Sequence, residues 1–435
     1  MAEIKPIRGW RYNPSLSQHI SSLTAPLFDV VSDKQREQLY NNELNSIHLS
    51  VPKGSLLPLK SAANTLKNWK NQGVLLQDRV PGVYVYYQHF TLPGSNKAYC
   101  RKGFVINIRV YDWPEKVILR HESTMPFSVH DRLEILNEME MNVSPTHGLY
   151  TDTTREIESY LDQSMKHPIY DTENYQGVRD VMSIIHDVKV INRIQTIINE
   201  KQIILADGHH RYAGALQYMK DNREKNPTHS GQEPYNYHMM YLTNTESDDL
   251  RILPTHRLIS NLEAFSKEEL LNRLKEDFDI SPISNSADTY DIIQGKKWTF
   301  GLLIEDESYR ISLKNDRVND IPWKFPNKIK ELDLTIMHYY IFEKILGIKG
   351  KDQTKSRNIT FERNFTECLK RVLTQSAQFA LITKDISIEQ VKETCYSGYT
   401  MPQKSTYFYP KAISGFVFSS INKNEFSSPF DTCFQ

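Results

Sequence analysis

The segment ADGHHRYAGAL, at 206–216, holds the densest set of chemistry-bearing groups in the chain. An apolar run, KQIILA, leads into Asp207 and Gly208, then His209, His210 and Arg211 follow at once, and the alanine-rich continuation has the composition of a helix start. Glycine lets the backbone take a positive φ or a close approach, and a helix N-terminus presents unpaired N–H groups with positive partial charge. The pattern describes an anion cradle. Arg211 adds a guanidinium able to grip phosphate oxygens through two parallel hydrogen bonds, and the two histidines add further donors. Asp207 is out of place beside an anion unless it holds a divalent cation or takes a proton from a nucleophile, roles that phosphoryl transfer requires. A plainer reading makes Asp207 a helix cap, the histidines partners of loop carbonyls, and Arg211 the partner of a surface acid. His-His-Arg compressed onto one strand-to-helix turn favours the anion site. Zinc fits poorly, because neighbouring histidines point apart and no HExxH or cysteine cluster completes a ligand set. GIKGKD at 347–352 lacks the Ser or Thr and the second spaced glycine of a P-loop, and no GxGxxG occurs.

Three further polar clusters lie between apolar segments. LRHESTMP brings Arg120, His121, Glu122 and Thr124 to the end of a strand-like run, LPTHRLI places His256 and Arg257 near a strand, and MPQKSTYFYPK sets Lys404, Ser405, Thr406 and Lys411 around aromatics. Each cluster alone is commonly structural: a Glu after a strand caps or is solvated, and a Lys among aromatics snorkels. Together Arg120, Arg132, Arg211, Arg257, Lys404 and Lys411 would make a polyanion pocket.

The elements that must position these groups follow from periodicity. YVYYQHF and CRKGFVINIRVYDW carry the β-branched and aromatic residues of an antiparallel strand pair. In VHDRLEILNEMEMN, Val129, Leu133, Leu136 and Met139 recur at helical spacing, with Ser128 as a cap. RDVMSIIHDVKVINRIQTIINE reads as one or two amphipathic helices, KQIILA as a buried strand, FSKEELLNRLKEDF as a helix, and WTFGLLIEDESYRISL as a hairpin turning at Glu305, Asp306 and Glu307. PISNSADT resembles a linker between lobes.

The chain has 435 residues, enough for two or three folded units at about 150 residues each. We place an N-terminal and central lobe carrying the DGHHR turn at 1–260, and a C-terminal lobe returning MPQKSTYFYPK to the site at 261–435. Lys plus Arg and Asp plus Glu are both 53, a balance that argues against a nucleic-acid binder held by a basic face. Cys100, Cys368, Cys395 and Cys433 show no CxxC spacing, which fits a reducing compartment. MAEIKPIRGW has no apolar h-region and no run of 18 apolar residues occurs, so the expected setting is cytoplasmic, without membrane or nucleic-acid partner.

Seven ordered segments carry a family resemblance: APLFDVVS, LRHEST with HDR, NVSPTHGLY, ADGHHRYAGAL, LPTHRLI, LDLTIMHYYI and MPQKSTYFYPKAISG. On these the chain resembles domain-of-unknown-function family 1015 nearly end to end. The DGHHR turn is also similar to the phosphate-binding turn of the ParB/sulfiredoxin-like superfamily, which includes free-serine kinases. The resemblance implies an α+β fold of mixed sheets with a ParB/sulfiredoxin-like strand-turn-helix phosphate site and two or three packed lobes. It implies a kinase that makes O-phosphoserine from free L-serine, with pyrophosphate or a nucleotide as donor and Mg²⁺ as cofactor. On that reading Gly208, His209, His210, Arg211, Arg257, Lys404 and Lys411 bind phosphate. Glu122 is the general base, Asp207 meets the metal or the attacking hydroxyl, and His121, Thr124, Arg132, His256, Ser405 and Thr406 surround the acceptor. The clusters at 120–132, 254–257 and 401–411 are then expected to converge on the turn. The alternatives are a non-catalytic nucleotide switch of the ParB kind and a metal-dependent phosphohydrolase in which water replaces serine.

Overall fold

A computed structural model describes residues 1–53, 58–92, 95–174, 176–353, 356–402 and 404–426. The chain forms two compact units of mixed α and β structure. One comprises Met1–Arg120, Thr124–Leu250 and Pro410–Gln435, and the other His121–Ser123 and Arg251–Tyr409.

The first unit is built on a nine-stranded open sheet. Its strands run, in spatial order, Tyr170–Glu173, Arg179–Ile185, Val83–Thr91, Ala98–Arg109, Tyr237–Asn244, Thr146–Tyr150, Ile203–Asp207 and Ile118–Arg120, with Ile4–Lys5 added on Ala98–Arg109. The strand pair expected at 84–109 is present, antiparallel, with Tyr84 opposite Val105. Its side chains alternate between two cores. Val83, Val85 and Tyr87 pack with Ile194, Ile198 and Tyr212 on one face, whereas Tyr84 and Tyr86 pack with Leu66, Trp69, Phe416 and Phe418 on the other. Burial on both faces explains why YVYYQHF reads as a continuous apolar run rather than an alternating one.

Two readings of this region need correction. Arg179–Ile185 is a strand and not a helix. Its register against Val83–Thr91 buries Val181, Met182 and Ile185, and sheet partners decide for a short apolar run that periodicity leaves ambiguous. The helix starts only at Val188, because Asp187 caps it by accepting from the N–H groups of Lys189 and Val190. The helix read over 129–142 is shifted towards the N-terminus, at Pro126–Met139, with Met125 rather than Ser128 at its N-cap and Pro126 in its first turn, and Met141–Asn142 is a strand.

The second unit carries a six-stranded antiparallel sheet in the order Phe278–Ile283, Glu307–Leu313, Thr299–Ile304, Phe379–Ile382, His256–Ile259 and Ile359–Glu362. The hairpin read at 298–313 and the helix read at 265–278 are both there, the latter as Lys267–Asp277 with Ser266 as its cap. Phe300, Leu302 and Ile304 face a core shared with Leu270, Leu274 and the π-helical segment Met337–Ile345. The chain leaves the first unit after Leu250, ahead of the 260/261 division drawn from sequence, since His256–Ile259 pairs inside this sheet. It re-enters the first unit at Pro410, where Ile413–Ser414 pairs with Ala25–Pro26 and Ser419–Ser420 with Met141–Asn142. PISNSADT lies wholly within the second unit and separates no lobes. Among the described residues no helix is long and apolar enough to cross a membrane.

Candidate functional site

In the first unit, the strand Ile203–Asp207 is antiparallel to Thr146–Tyr150, and its register shifts between Leu205 and Asp207, which puts Asp207 opposite His147. Such an irregularity re-aims a side chain. Gly208 follows in the left-handed region at φ 85°, and the helix His209–Lys225 begins with no side chain capping it. A Cβ at Gly208 would lie 2.7 Å from Thr146 Cγ2 and 2.9 Å from Arg211 Nη2, so both the conformation and the space demand glycine. The first N–H groups of the helix have no intrahelical acceptor, and the turn delivers them together.

Asp207 is not the helix cap of the plainer reading. It is buried, and its two oxygens are taken by two cations: Arg211 Nη2 donates to Oδ2 at 2.7 Å, and the Lys411 ammonium pairs with Oδ1. Nor is Arg211 an open fork or the partner of a surface acid, since its Nη1 donates to the Pro145 carbonyl at 2.5 Å and to Ser144 Oγ at 3.2 Å. A buried guanidinium must find acceptors, and here the protein supplies them for both terminal nitrogens. Burial still pulls Arg211 down to about 10. His210 is locked as well: its Nε2 accepts from the Met125 N–H at 3.1 Å, which puts the proton of the neutral ring on Nδ1. His209 is buried, Thr124 precedes the helix Pro126–Met139, and within that helix Arg132 donates to Asp131 and to the Ser50 carbonyl.

Residues that the motif reading missed hold this cluster in place. Buried Arg101 donates through Nη2 to the Pro410 carbonyl and to Gln88 Oε1, while Gln88 Nε2 donates to the Lys411 carbonyl at 3.0 Å and to Asp180 Oδ1 at 2.8 Å. Tyr86 adds its hydroxyl to Asp180 at 2.5 Å. The backbone on which Lys411 stands is therefore clamped from beneath. Burial raises Asp180 to about 7. His147 stacks on Tyr241 with ring centroids 5.2 Å apart and meets Thr243 Oγ1 at 2.7 Å. Burial and then the charges of Arg101, Lys411 and Arg211 hold its pKa well below the ordinary value, so it stays neutral. The available signal was a Gln and an Arg inside otherwise buried strand patterns, at positions where water would be excluded.

The second unit assembles the other named residues on its own account. Glu122 Oε1 accepts from the N–H groups of Ser405, at 3.1 Å, and Thr406, at 3.3 Å. Thr406 Oγ1 lies 3.4 Å from the same oxygen and 2.8 Å from His121 Nε2, giving a His121, Thr406, Glu122 chain. The Met401 N–H donates to the His121 carbonyl, and Ser405 Oγ donates to the Pro402 carbonyl at 2.5 Å. Arg257 is fully buried on the strand His256–Ile259, where it donates to the Thr255 carbonyl and, at 3.4 Å, to that of Lys404, a residue at φ 58°. Burial lowers it to about 9. His256 is likewise interior, its Nδ1 accepting from Thr383 N–H at 3.2 Å, and burial lowers it to about 3. His256 and Arg257 are thus sheet-interior groups of this unit, whereas Lys404 is exposed.

A protein-held Mg²⁺ does not fit these residues. Both Asp207 oxygens already face cations, and no group of three or more His, Cys, Asp or Glu able to hold a metal ion occurs among the described residues. Mg²⁺ seeks oxygen ligands in near-ideal octahedral geometry.

The fold and site define an α+β protein with a glycine-initiated, cation-lined strand-to-helix turn. The chain belongs to the DUF1015 family, described as proteins of unknown function, whose profile matches residues 4–335. No curated protein matches it. Solved structures similar to it include a variant of a free serine kinase in complex with AMP, at 11% identity and a TM-score of 0.38 over 74% of this chain and 94% of that one. A conserved hypothetical protein from Pyrococcus furiosus aligns at 12% identity and a TM-score of 0.36, over 71% of this chain and 93% of that one. SbnI from Staphylococcus aureus, truncated at its C-terminus, aligns at 12% identity and a TM-score of 0.35, over 72% and 86% respectively.

Proposed function

We propose that the chain is a small-molecule phosphotransferase that moves a phosphoryl group from pyrophosphate or a nucleotide to the hydroxyl of free L-serine. The observation that carries the reading is the turn itself: helix N–H groups with no side-chain cap behind a left-handed Gly208, beside a buried Arg211 and a largely buried Lys411 that share one carboxylate. Such a site carries net positive charge in a low-dielectric setting, which favours an anion and offsets the charge spread over a transferred phosphoryl. The acceptor is taken from the family resemblance carried by ADGHHRYAGAL and its companion motifs. The N–H groups of 209–211 bind the donor phosphates and Lys411 faces them. Asp207 is a positioning residue that keeps Arg211 and Lys411 in place. Glu122, held by the Ser405 and Thr406 N–H groups, is the candidate base that accepts the serine hydroxyl proton. Any Mg²⁺ comes in on the donor phosphates, which provide their own oxygen ligands. A cytoplasmic setting suits the free thiols of Cys100, Cys368 and Cys395.

The test is to incubate the full chain with Mg²⁺, L-serine and either pyrophosphate or ATP and to analyse products by mass spectrometry. O-phosphoserine formed with one donor supports the reading. Free phosphate released at the same rate with and without serine would make the chain a hydrolase, and donor binding without turnover a nucleotide switch.

A further inference from the structure

Arg211 also borders a small cleft of about 30 Å³ in the first unit, lined with it by Arg132, Asn142, Ser144 and His238, with Ile135 and Val143 among its apolar walls. Four buried nitrogens of these lining residues have no hydrogen-bond partner among the described residues: Asn142 Nδ2, Arg211 Nε, and both ring nitrogens of His238. Asn142, Arg211 and His238 are 3%, 6% and 2% exposed, so solvent does not satisfy them. Leaving one such group unpaired costs about 1–3 kcal/mol, and a cluster of four calls for a ligand.

The chemistry of that ligand follows from the donors. Asn142 Nδ2 and Arg211 Nε are obligate donors, and the neutral His238 ring adds one more. Two guanidiniums line the same space, and burial together with the charge of Arg211 lowers the pKa of Arg132. Arg132 spends Nε and Nη2 on Asp131, and the carboxylate of Asp29 acts on both arginines. A water molecule brings two donors as well as two acceptors to a lining whose unpartnered atoms are mostly donors, whereas an oxyanion brings acceptors alone. We propose that this cleft binds a small oxyanion the size of a phosphate or carboxylate group, as a site separate from the N–H groups of the Gly208 turn. Arg211 borders both, with Nη2 and Nε 2.9 and 3.0 Å from the Cβ position at Gly208 and Nη1 on Ser144 of the cleft, which makes occupancy of the cleft a means of fixing the guanidinium that holds Asp207.

The experiment follows the His238 ring by NMR in the full chain while inorganic phosphate and acetate are titrated separately. The expected result is a saturable shift of the ring resonances, with a His238 pKa that rises on binding because the protonated ring then donates to the anion. Asn142→Asp puts a carboxylate where the amide stands and should weaken the shift-detected affinity about tenfold or more. Arg132→Met serves as the second variant should Asn142→Asp not fold. Lys411→Met removes the second cation on Asp207 without touching the cleft lining, so a saturable His238 shift should remain, whatever the variant does to donor binding or turnover. No shift with either anion overturns the proposal. So does a shift that survives both Asn142→Asp and Arg132→Met, or one that disappears in Lys411→Met, since the anion would then sit at the turn.

Discussion

Arg211 Nη2 donates to Asp207 Oδ2 at 2.7 Å across one turn of chain, and it does so with both side chains buried and Lys411 on the other carboxylate oxygen. One acid answers two bases. Removing the acid leaves a buried Arg211 and a largely buried Lys411 uncompensated, which costs up to about 3–5 kcal/mol, the range for breaking a buried pair. Asp207→Asn should therefore lower stability by that order in denaturant titrations and yet tighten metal-free phosphate binding, by about tenfold for one added positive charge a few ångströms away. Weaker phosphate binding in a folded Asp207→Asn variant would show that lost positioning of Arg211 and Lys411 outweighs the added positive charge.

Gly208 supports a second prediction. Gly208→Ala forces a Cβ against Thr146 and Arg211 at φ 85°, with strain of about 1–3 kcal/mol. Donor affinity measured by calorimetry should fall at least as much as stability does, because the N–H groups of 209–211 move with the turn. Unchanged affinity would show that the phosphates bind elsewhere.

Glu122 and Asp207 separate by their kinetics. Glu122→Gln keeps the size of the side chain and an oxygen to accept from Ser405 and Thr406, but removes the base, so kcat should fall about 10²–10⁴-fold with KM nearly retained. A fully active Glu122→Gln would remove it from the chemistry.

The buried histidines predict a pH dependence of stability. Burial lowers His238, His256 and His338 to about 3, against about 6.5 in an unfolded chain. Between those values the unfolded chain binds more protons than the folded one, so stability is complete above pH ~6.5 and falls as pH drops towards 3. Asp180 acts in the opposite sense: its pKa, raised to about 7, makes the folded state the better proton binder from pH ~4 upward and partly offsets the slope. His338 Nδ1 lies 2.6 Å from Gln353 Oε1, and His338→Asn keeps a donor there without the titration. The variant should lose up to about 1.4 kcal/mol per pH unit of the slope between pH 4 and 6, read from denaturant midpoints. An unaltered slope would mean that His338 titrates normally.

The local order of elements was largely legible, because strand, turn and helix around Asp207 to Arg211 follow from an apolar run, a glycine and an alanine-rich start. The strand Arg179–Ile185 was not, since VMSII carries no period and only its pairing with Val83–Thr91 decides its state. Around the candidate site the sequence shows the residue types of the turn and hides their pairings. No spacing announces that Lys411 meets Asp207 across 204 positions, or that Arg101 and Gln88 hold the carbonyls beside Lys411. Such contacts depend on where the chain returns to the first unit after Tyr409, a property of topology rather than of local pattern.

Phosphorus NMR of the full chain with L-serine and pyrophosphate, or with ATP in a parallel sample, tests the central claim most directly. The account predicts that one donor is consumed only when serine is present, with O-phosphoserine appearing in equal amount, and that Lys411→Met slows this about 10²-fold or more through lost charge stabilisation. Donor consumption that ignores serine, or serine phosphorylation at the wild-type rate in Lys411→Met, would contradict it.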